Sequence, residues 1–271
     1  MNENMFRLTV QPHFEKSSLI VGWNRDSGRL NTSVIDYLTK KIRNEPFCDI
    51  EPAGFFPLAG VSVQNNVAHF PESRFYYNQE KNLVLFKADE PQFEKYQFLN
   101  AVLDVAEQYC RVKHLYTVNG AMSLAAHTSE RRILAVFNQA EFREELRGYE
   151  LNNMTWQGPP AMSSYLLWLA ARRGLAGMSL WTQIPFYLAA WQDWEAIKTT
   201  VSFLDRRLNL EMDLKELNEQ SDNQNNSLAR LRKEDPEINK CVGALEGGLS
   251  LSDEEQMRLI KEVGDFFEKK G

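Results

Sequence analysis

The sequence has few cysteines, and their positions exclude two common kinds of scaffold. Its 271 residues include only Cys48, Cys110 and Cys241, an odd number that lie far apart and form no CxxC pair. Neither a disulfide framework nor a zinc cluster fits this spacing. We therefore expect a protein of the reducing cytoplasm, with no bound metal and no cofactor.

The chain also lacks an excess of basic residues and a long apolar run. Lysine and arginine total 31 against 37 aspartate and glutamate residues, so the formal net charge is −6. This balance provides no basic surface for nucleic acid or for acidic membranes. We expect no uncharged stretch as long as the ~20 residues of a membrane span, and the N-terminus lacks the pattern of a signal peptide. We expect neither a nucleic-acid nor a membrane partner.

Tryptophan and tyrosine are absent from the last quarter of the chain. Residues 205–271 contain 16 acidic and 11 basic side chains, whereas all six tryptophans lie earlier. A segment so short and so poor in large apolar residues buries little surface by itself. We predict an αβα domain over residues 1–204 and a helical appendage over residues 205–271 that packs on the domain or on a neighbouring subunit.

Two amphipathic helices are predicted within this appendage. Leucines recur at helical spacing over residues 204–217, and Ser252 opens a capping-box pattern with Glu255 before a second apolar stripe. The polar stretch 221–227 between them is either a turn or part of one long helix. We favour the long helix because leucines resume the helical period after it.

The first 190 residues alternate between short apolar runs and helix-length patterns. Helices are predicted at 30–43, 93–110 and 161–173. This alternation is typical of a mostly parallel sheet with helices on both faces. One antiparallel hairpin is predicted within SRFYYNQEKNLVLF. The predicted strands are LIVGW (19–23), LVLF (83–86), VKHLYTV (112–118), RILAVF (132–137) and GLAGMSLWTQIP (174–185).

Polar residues that follow these strands form the candidate ligand site. In an open α/β sheet, ligands bind beyond the carboxyl ends of the parallel strands, which all lie at one edge. We therefore expect segments 22–27, 89–91, 119–123 and 183–185 to come together there. The candidate ligand-binding residues are Asn24, Asp26, Glu90, Asn119, Gly120, Ser123, Gly158, Ser163 and Gln183.

Each of these segments also has a structural interpretation. Asp26 fits a turn or cap position, and acidic residues before Pro91 fit the start of a helix. Gly158 and Ser163 belong to a helix entry that can also bind an anion. The segment 119–123 is the best suited to hold a small anion or polar ligand, because Gly120 permits close approach of the backbone.

No arrangement of residues in the sequence identifies a catalytic group. Neither GxGxxG nor P-loop spacing is present, and Ser123 with His127 does not make a triad without a nucleophile elbow. We expect His127 to be a hydrogen-bonded structural residue or part of an interface. No catalytic residue is therefore predicted.

Several of these stretches resemble the proteasome assembly chaperone 2 family. They are GWNRDSG, FKADEP, TVNGAMSLAAHTSERR and GPPAMSSYLLWLAARRGLAGMSLWTQIPFYL, spread over residues 19–190. The resemblance implies a three-layer αβα fold related to that of purine nucleoside phosphorylases, with the charged C-terminal helices as an extension. It also implies self-association into homo-oligomers.

Two features of the chain bear on what the resemblance implies for function. Family members have been described as ATP-grasp or carboxylate–amine ligase proteins, but no acidic and lysine cluster for Mg²⁺ and ATP is apparent here. Chaperones that dock onto proteasome rings end in a hydrophobic–tyrosine–any-residue signature, whereas this sequence ends Glu268-Lys269-Lys270-Gly271. We therefore expect no docking by that route.

The sequence thus leads to two hypotheses of different classes. The first is a non-enzymatic, chaperone-like assembly protein whose partners are copies of itself and another protein. The alternative is a small-molecule enzyme or binder, with a nucleoside- or nucleotide-related or ATP-dependent ligase activity, that uses the loops at the carboxyl edge of the sheet.

Overall fold

The computed structural model describes residues 5–24, 26–57, 60–155 and 161–269, and its centre is a nine-stranded sheet. A separate two-stranded hairpin is formed by β4 (Ser62–Gln64) and β5 (Val67–His69). The strands of the large sheet are β1 (Phe6–Leu8), β2 (Ser17–Trp23), β3 (Glu45–Ile50), β6 (Ser73–Asn78), β7 (Leu83–Ala88), β8 (Val112–Ser123), β9 (Ile133–Phe137), β10 (Leu151–Asn153) and β11 (Ala176–Pro185). Their spatial order is β1-β3-β6-β7-β2-β8-β11-β9-β10.

The centre of this sheet is parallel, as predicted. Strands β7, β2, β8 and β11 are neighbours and all run in the same direction. Antiparallel pairs flank them, including the predicted hairpin of β6 and β7, which turns between Asn78 and Leu83. Strand β9, grouped with the parallel strands in the sequence analysis, runs antiparallel to β11. The short link from β8 to β9 has no room for a crossover helix, so the chain turns back from the same edge.

Helices cover both faces of the sheet and give the three layers expected of an αβα fold. On one face, α1 (Leu30–Lys41), α3 (Ala140–Glu145) and α5 (Trp194–Leu208) contribute to one apolar core. On the other face, α2 (Lys95–Gln108) and α4 (Met162–Arg172) contribute to a second core. The parallel strands are buried from both sides, which explains their continuous apolar sequences.

The C-terminal part of the chain forms three further helices, α6 (Lys215–Glu234), α7 (Pro236–Glu246) and α8 (Asp253–Glu268). The prediction of one long helix through 221–227 is confirmed by α6, and the capping box at Ser252 is present. Two details were wrong. The helical leucine period over 204–217 breaks at Asn209, whose φ of 51° ends α5, and α7 was not predicted.

These helices pack on the same face as α1 and α5. Their buried leucine, isoleucine and valine side chains belong to the same contiguous core as α5. Trp191, which precedes α5, lies 5.5 Å from Phe267 of α8 between ring centroids. The proposed boundary at residue 204 falls inside α5, and the division into domain and appendage stays a prediction.

Candidate functional site at the carboxyl edge

The four central parallel strands end together at one edge of the sheet, which we call the carboxyl edge. Strands β2, β7, β8 and β11 end at Trp23, Ala88, Ser123 and Pro185, and their pairing is continuous to those ends. The predicted meeting of the four loop segments at one edge is therefore confirmed. The candidate residues lie at this edge, but they differ in what their side chains contact.

Asn119 and Gly120 lie within a strand and not, as predicted, in a loop. Strand β8 continues through Ser123 because its register with β11 extends to Pro185. The close backbone approach expected at Gly120 is present, but the approaching atom belongs to the protein: a Cβ at this position would lie 2.3 Å from the carbonyl oxygen of Ser27. Glycine is required here for packing of the chain on itself.

Asn119 is the centre of a buried hydrogen-bond network. Its Nδ2 donates to Ser179 Oγ at 2.9 Å and to the carbonyl oxygen of Leu180 at 3.1 Å. Its Oδ1 accepts from Ser163 Oγ at 2.8 Å, and Ser163 Oγ in turn accepts from Trp23 Nε1 at 3.1 Å. This network joins β2, β8, β11 and the first turn of α4, and it occupies both ends of the Asn119 amide.

Asp26 is a half-buried carboxylate in the link between β2 and α1. It accepts hydrogen bonds from the backbone N–H of Gly120 at 2.9 Å and of Asn31 at 3.2 Å. Burial raises the pKa of Asp26 to about 7, although these backbone donors oppose the rise. The bond to Asn31, in the first turn of α1, confirms the capping role expected for Asp26.

Asn24 and Glu90 were both predicted at this edge, but they have different surroundings. Asn24 Nδ2 donates to Asp89 Oδ1 at 3.2 Å, and Asp89 Oδ2 accepts from the N–H of Glu72 at 3.0 Å. Glu90 is exposed and takes no part in this network. The predicted helix start at Pro91 is wrong: α2 begins at Lys95, because the preceding residues donate to the carbonyl oxygen of Phe55 instead.

Two of the remaining candidates, Ser123 and Gln183, form hydrogen bonds with backbone groups. Ser123 Oγ accepts from the N–H of Ala125 at 3.1 Å, and the N–H of Gln183 donates to the carbonyl oxygen of Arg132 at 2.9 Å. Gly158 lies outside the described residues. Hydrogen bonds thus join Asp26 to Gly120 and Asn119 to Ser163, whereas Glu90 and Gln183 bond to none of the other described candidates.

A buried ion pair near this edge was missed by the sequence analysis. Arg131 Nε lies 2.8 Å from Asp193 Oδ2, and both side chains are almost fully buried. Arg131 also donates to the carbonyl oxygen of His127, and the His127 ring lies 2.8 Å from Tyr187 Oη. Burial, reinforced by the cations Arg232 and Arg131, lowers the pKa of His127 to about 4, which keeps the ring neutral. These partners are far apart in sequence, so no motif could reveal them.

Several apolar side chains are exposed at the carboxyl edge. Strand β3 runs antiparallel to β6, and β6 to β7, so the link from β3 to β6 that contains the hairpin β4–β5 lies at this edge. Val63 in this hairpin is 71% exposed, and Met122 at the end of β8 is 68% exposed. We name the exposed apolar side chains at this edge the apolar rim: Val63, Val67, Phe70, Phe93, Met122 and Leu124.

Most of this rim lies in segments of the sequence that contain no charged residue, a signal that was not among the predictions. Residues 52–71 and 114–129 contain no aspartate, glutamate, lysine or arginine, in a chain that is 25% charged. A third uncharged segment, 151–171, leads into α4. The expectation that no uncharged stretch reaches the length of a membrane span is therefore wrong for 52–71 and 151–171. In the described part of the chain, however, no helix is long and apolar enough to cross a membrane.

A cavity of about 810 Å³ opens beside the start of α1. Asn24, Arg29, Thr32, Gln192 and Trp194 contribute to its lining. Arg29 adopts a left-handed conformation with a φ of 48°, which is uncommon for a residue with a side chain. Within residues 5–24, 26–57, 60–155 and 161–269, no group of three or more histidine, cysteine or acidic side chains is placed to hold a metal ion.

The fold is that of a three-layer α/β protein, and the strands at the centre of its large sheet are parallel. Within that class, the chain belongs to the PAC2 family, whose family model matches residues 19–232. This confirms the resemblance found in the sequence. Among curated proteins, none matches the sequence.

Solved structures with a similar fold extend over most of the chain. A protein of unknown function from Corynebacterium glutamicum is 19% identical, with a TM-score of 0.78, over 94% of this chain and 99% of its own. A proteasome-assembly chaperone homologue from Mycobacterium tuberculosis is 16% identical, with a TM-score of 0.71, over 83% and 99%. PbaB from Pyrococcus furiosus, an archaeal proteasome activator, is 19% identical, with a TM-score of 0.68, over 84% and 98%.

Proposed function

We propose that this protein is a non-enzymatic, chaperone-like assembly protein that forms homo-oligomers through its carboxyl edge. The apolar rim carries this proposal. Exposed apolar side chains that cluster on a surface are a mark of protein–protein contact sites. The topology brings two uncharged segments, 52–71 and 114–129, to this edge. A two-fold symmetric contact uses the same patch on both copies, so a patch with few charges places few like charges close together near the symmetry axis, which suits self-association in a chain of net charge −6.

The polar side chains behind the rim support a structural role over a catalytic one. Asn119, Ser163 and Asp26 bond to other groups of the protein, so their donors and acceptors are already occupied. A nucleophile needs an adjacent base within hydrogen-bond reach. Ser123 instead accepts a bond from a backbone N–H two residues further along the chain.

The relatives support the same class of function. One similar structure is a proteasome-assembly chaperone homologue and another is an archaeal proteasome activator. We extend to this chain only the class, assembly through protein contacts. The finer parts of the proposal are the likeness to purine nucleoside phosphorylases, the helical C-terminal extension as a further partner surface, and a cytoplasmic location, which the three free, buried cysteines support.

Light scattering after size exclusion tests the proposal. We expect the wild-type protein to be an oligomer at micromolar concentration and the double variant Val63→Glu/Met122→Glu to be a monomer. The control Val10→Glu/Val136→Glu adds the same charge at two exposed apolar positions outside the rim and the C-terminal helices. A wild-type monomer, or equal dissociation in both double variants, would contradict the proposal.

The cavity beside α1 favours a second candidate function, the binding of a small polar molecule. Its lining combines amide and hydroxyl groups, the rings of Tyr37 and Trp194, and charged side chains of both signs, a mixture that suits a polar ligand with an aromatic base. A thermal-shift screen of nucleosides, nucleotides and carboxylates tests it, since a ligand at ~100 times its Kd stabilises by ~2.7 kcal/mol. No stabilisation by any of these compounds would remove this candidate.

A further inference from the structure

A separate cavity lies at the opposite edge of the sheet, which we call the amino edge because β2, β7 and β8 begin there. Its volume is about 370 Å³, within the size range of small-molecule sites. The charged or titratable side chains that line it are Lys16, Lys81, Lys113, His114, Tyr116, Glu145 and Arg207. Four cations thus face one carboxylate, although the chain as a whole is acidic.

Arg207 is held in a fixed orientation at this cavity. Its Nε donates to Tyr116 Oη at 2.9 Å, and its Nη2 contacts Glu145 Oε1 at 2.5 Å. The guanidinium group also lies 5.7 Å from the centre of the Phe142 ring. A guanidinium group whose position is already fixed loses little conformational freedom when it binds an anion.

The lysines of the cavity differ in their partners. Lys81 pairs with Glu211 at 2.8 Å, so its charge is balanced. Lys16 and Lys113 are exposed and form no ion pair with any residue of the described chain. Two unbalanced cations therefore stand beside the fixed guanidinium group.

The positive charges of the cavity act on the side chain of His114. Its ring stacks on Phe142 with centroids 4.9 Å apart, so the imidazole is held in the cavity wall. Burial and the positive charges of Arg207 and Lys16 lower the pKa of His114, and Glu145 offsets only part of this. An anion in the cavity would reverse that effect and raise the pKa of His114.

We propose that the amino-edge cavity binds a small phosphorylated molecule, with its phosphate oxygens held by Lys16, Lys113 and Arg207. Lysine binds phosphate as a point charge, and the guanidinium fork matches its oxygen geometry. The site is independent of the proposed assembly surface, because it lies at the other end of the strands. Either proposal therefore stands if the other fails.

Calorimetric titration at low salt tests this proposal with two probes, inorganic pyrophosphate and fructose 1,6-bisphosphate. We expect saturable binding of at least one probe, weakened about tenfold or more in Lys16→Glu/Lys113→Glu, because each reversal replaces an attraction by a repulsion. The control Lys240→Glu/Lys261→Glu changes the net charge equally on exposed helix positions and is expected to bind within about twofold of wild type. Tighter binding of the sugar bisphosphate identifies an organic phosphate, and tighter binding of pyrophosphate an inorganic one.

Two further measurements are insensitive to misfolding. Glu145→Gln removes the carboxylate from the lining but keeps an oxygen for Arg207, so it is expected to tighten binding severalfold. An NMR titration of His114 is expected to show a higher pKa when pyrophosphate is present. Absence of saturable binding by either probe in the millimolar range, or equal weakening in both lysine double variants, would overturn the proposal.

Discussion

The two edges of the central sheet are built in opposite ways. At the carboxyl edge, buried polar groups bond to one another, and apolar side chains are exposed in the loops that follow the strands. At the amino edge, four cations line a cavity of about 370 Å³, and two of them, Lys16 and Lys113, have no ion-pair partner among the described residues. In α/β folds the carboxyl edge is the usual place for a ligand. Here its polar groups hold the strands and helices together, so the surface in front of them is available for protein contacts.

Breaking the buried ion pair near the carboxyl edge gives the largest expected effect. Asp193→Ala leaves the Arg131 guanidinium group buried without a counter-charge and removes the cap of α5. We expect a loss of ~3–5 kcal/mol in the free energy of unfolding, measured by urea denaturation. The control Asp222→Ala removes an exposed carboxylate from α6 and is expected to change it by less than ~0.5 kcal/mol. A small loss for Asp193→Ala would show that the network is dispensable.

The raised pKa of Asp26 predicts a pH dependence. Its pKa in the folded protein is about 7 against an ordinary 3.8, so the native state binds more protons between these values and its stability falls as pH rises through them. We expect the free energy of unfolding of Asp26→Asn, relative to wild type, to increase by about 2–3 kcal/mol between pH 5 and pH 8. Parallel pH profiles for variant and wild type would contradict the shift.

Gly120→Ala tests the close packing of β8 against the turn at Ser27. The added Cβ would lie 2.3 Å from the carbonyl oxygen of Ser27. Only a movement of the backbone would relieve this clash. We expect a loss of ~1–3 kcal/mol by denaturant unfolding. Gly148→Ala, where nothing lies within 4 Å of the added Cβ, is the matched control and is expected to be neutral or slightly stabilising. Equal stability of the two variants would refute the packing argument.

The smallest effect on folding is expected at the amino edge. Lys113 is exposed and makes no ion pair within the described residues, so Lys113→Ala is expected to change the free energy of unfolding by less than ~0.5 kcal/mol. Thermal unfolding without phosphate measures this. A large loss would mean that the lysine has a structural role, and the contrast between the two edges would weaken.

Local sequence patterns predicted the parts of the fold that depend on local forces. The apolar runs became the central parallel strands, and the capping pattern at Ser252 became the start of α8. Their common direction placed the candidate segments at one edge without knowledge of any contact. The family could also be recognised from the segments that surround this edge.

The parts that sequence reasoning missed depend on contacts between distant residues. Strand β8 extends through Asn119 because β11 pairs with it, a partner some 60 residues away in the chain. The Arg131–Asp193 ion pair also joins residues far apart in the chain. So do the hydrogen bonds from the N–H groups of Gln92 and Phe93 to the carbonyl oxygen of Phe55, which delay the start of α2. The apolar rim had a sequence signal, the uncharged segments, but only the topology shows that two of them meet at one edge.

Hydrogen–deuterium exchange at two protein concentrations tests the contrast between the edges most directly. If the carboxyl edge is the assembly surface, amides of the hairpin β4–β5 and of residues 121–125 exchange more slowly at high concentration, and amides at the starts of β2 and β8 exchange at an unchanged rate. Protection that appears at the amino edge, or on α8 alone, or that does not depend on concentration, would contradict the account.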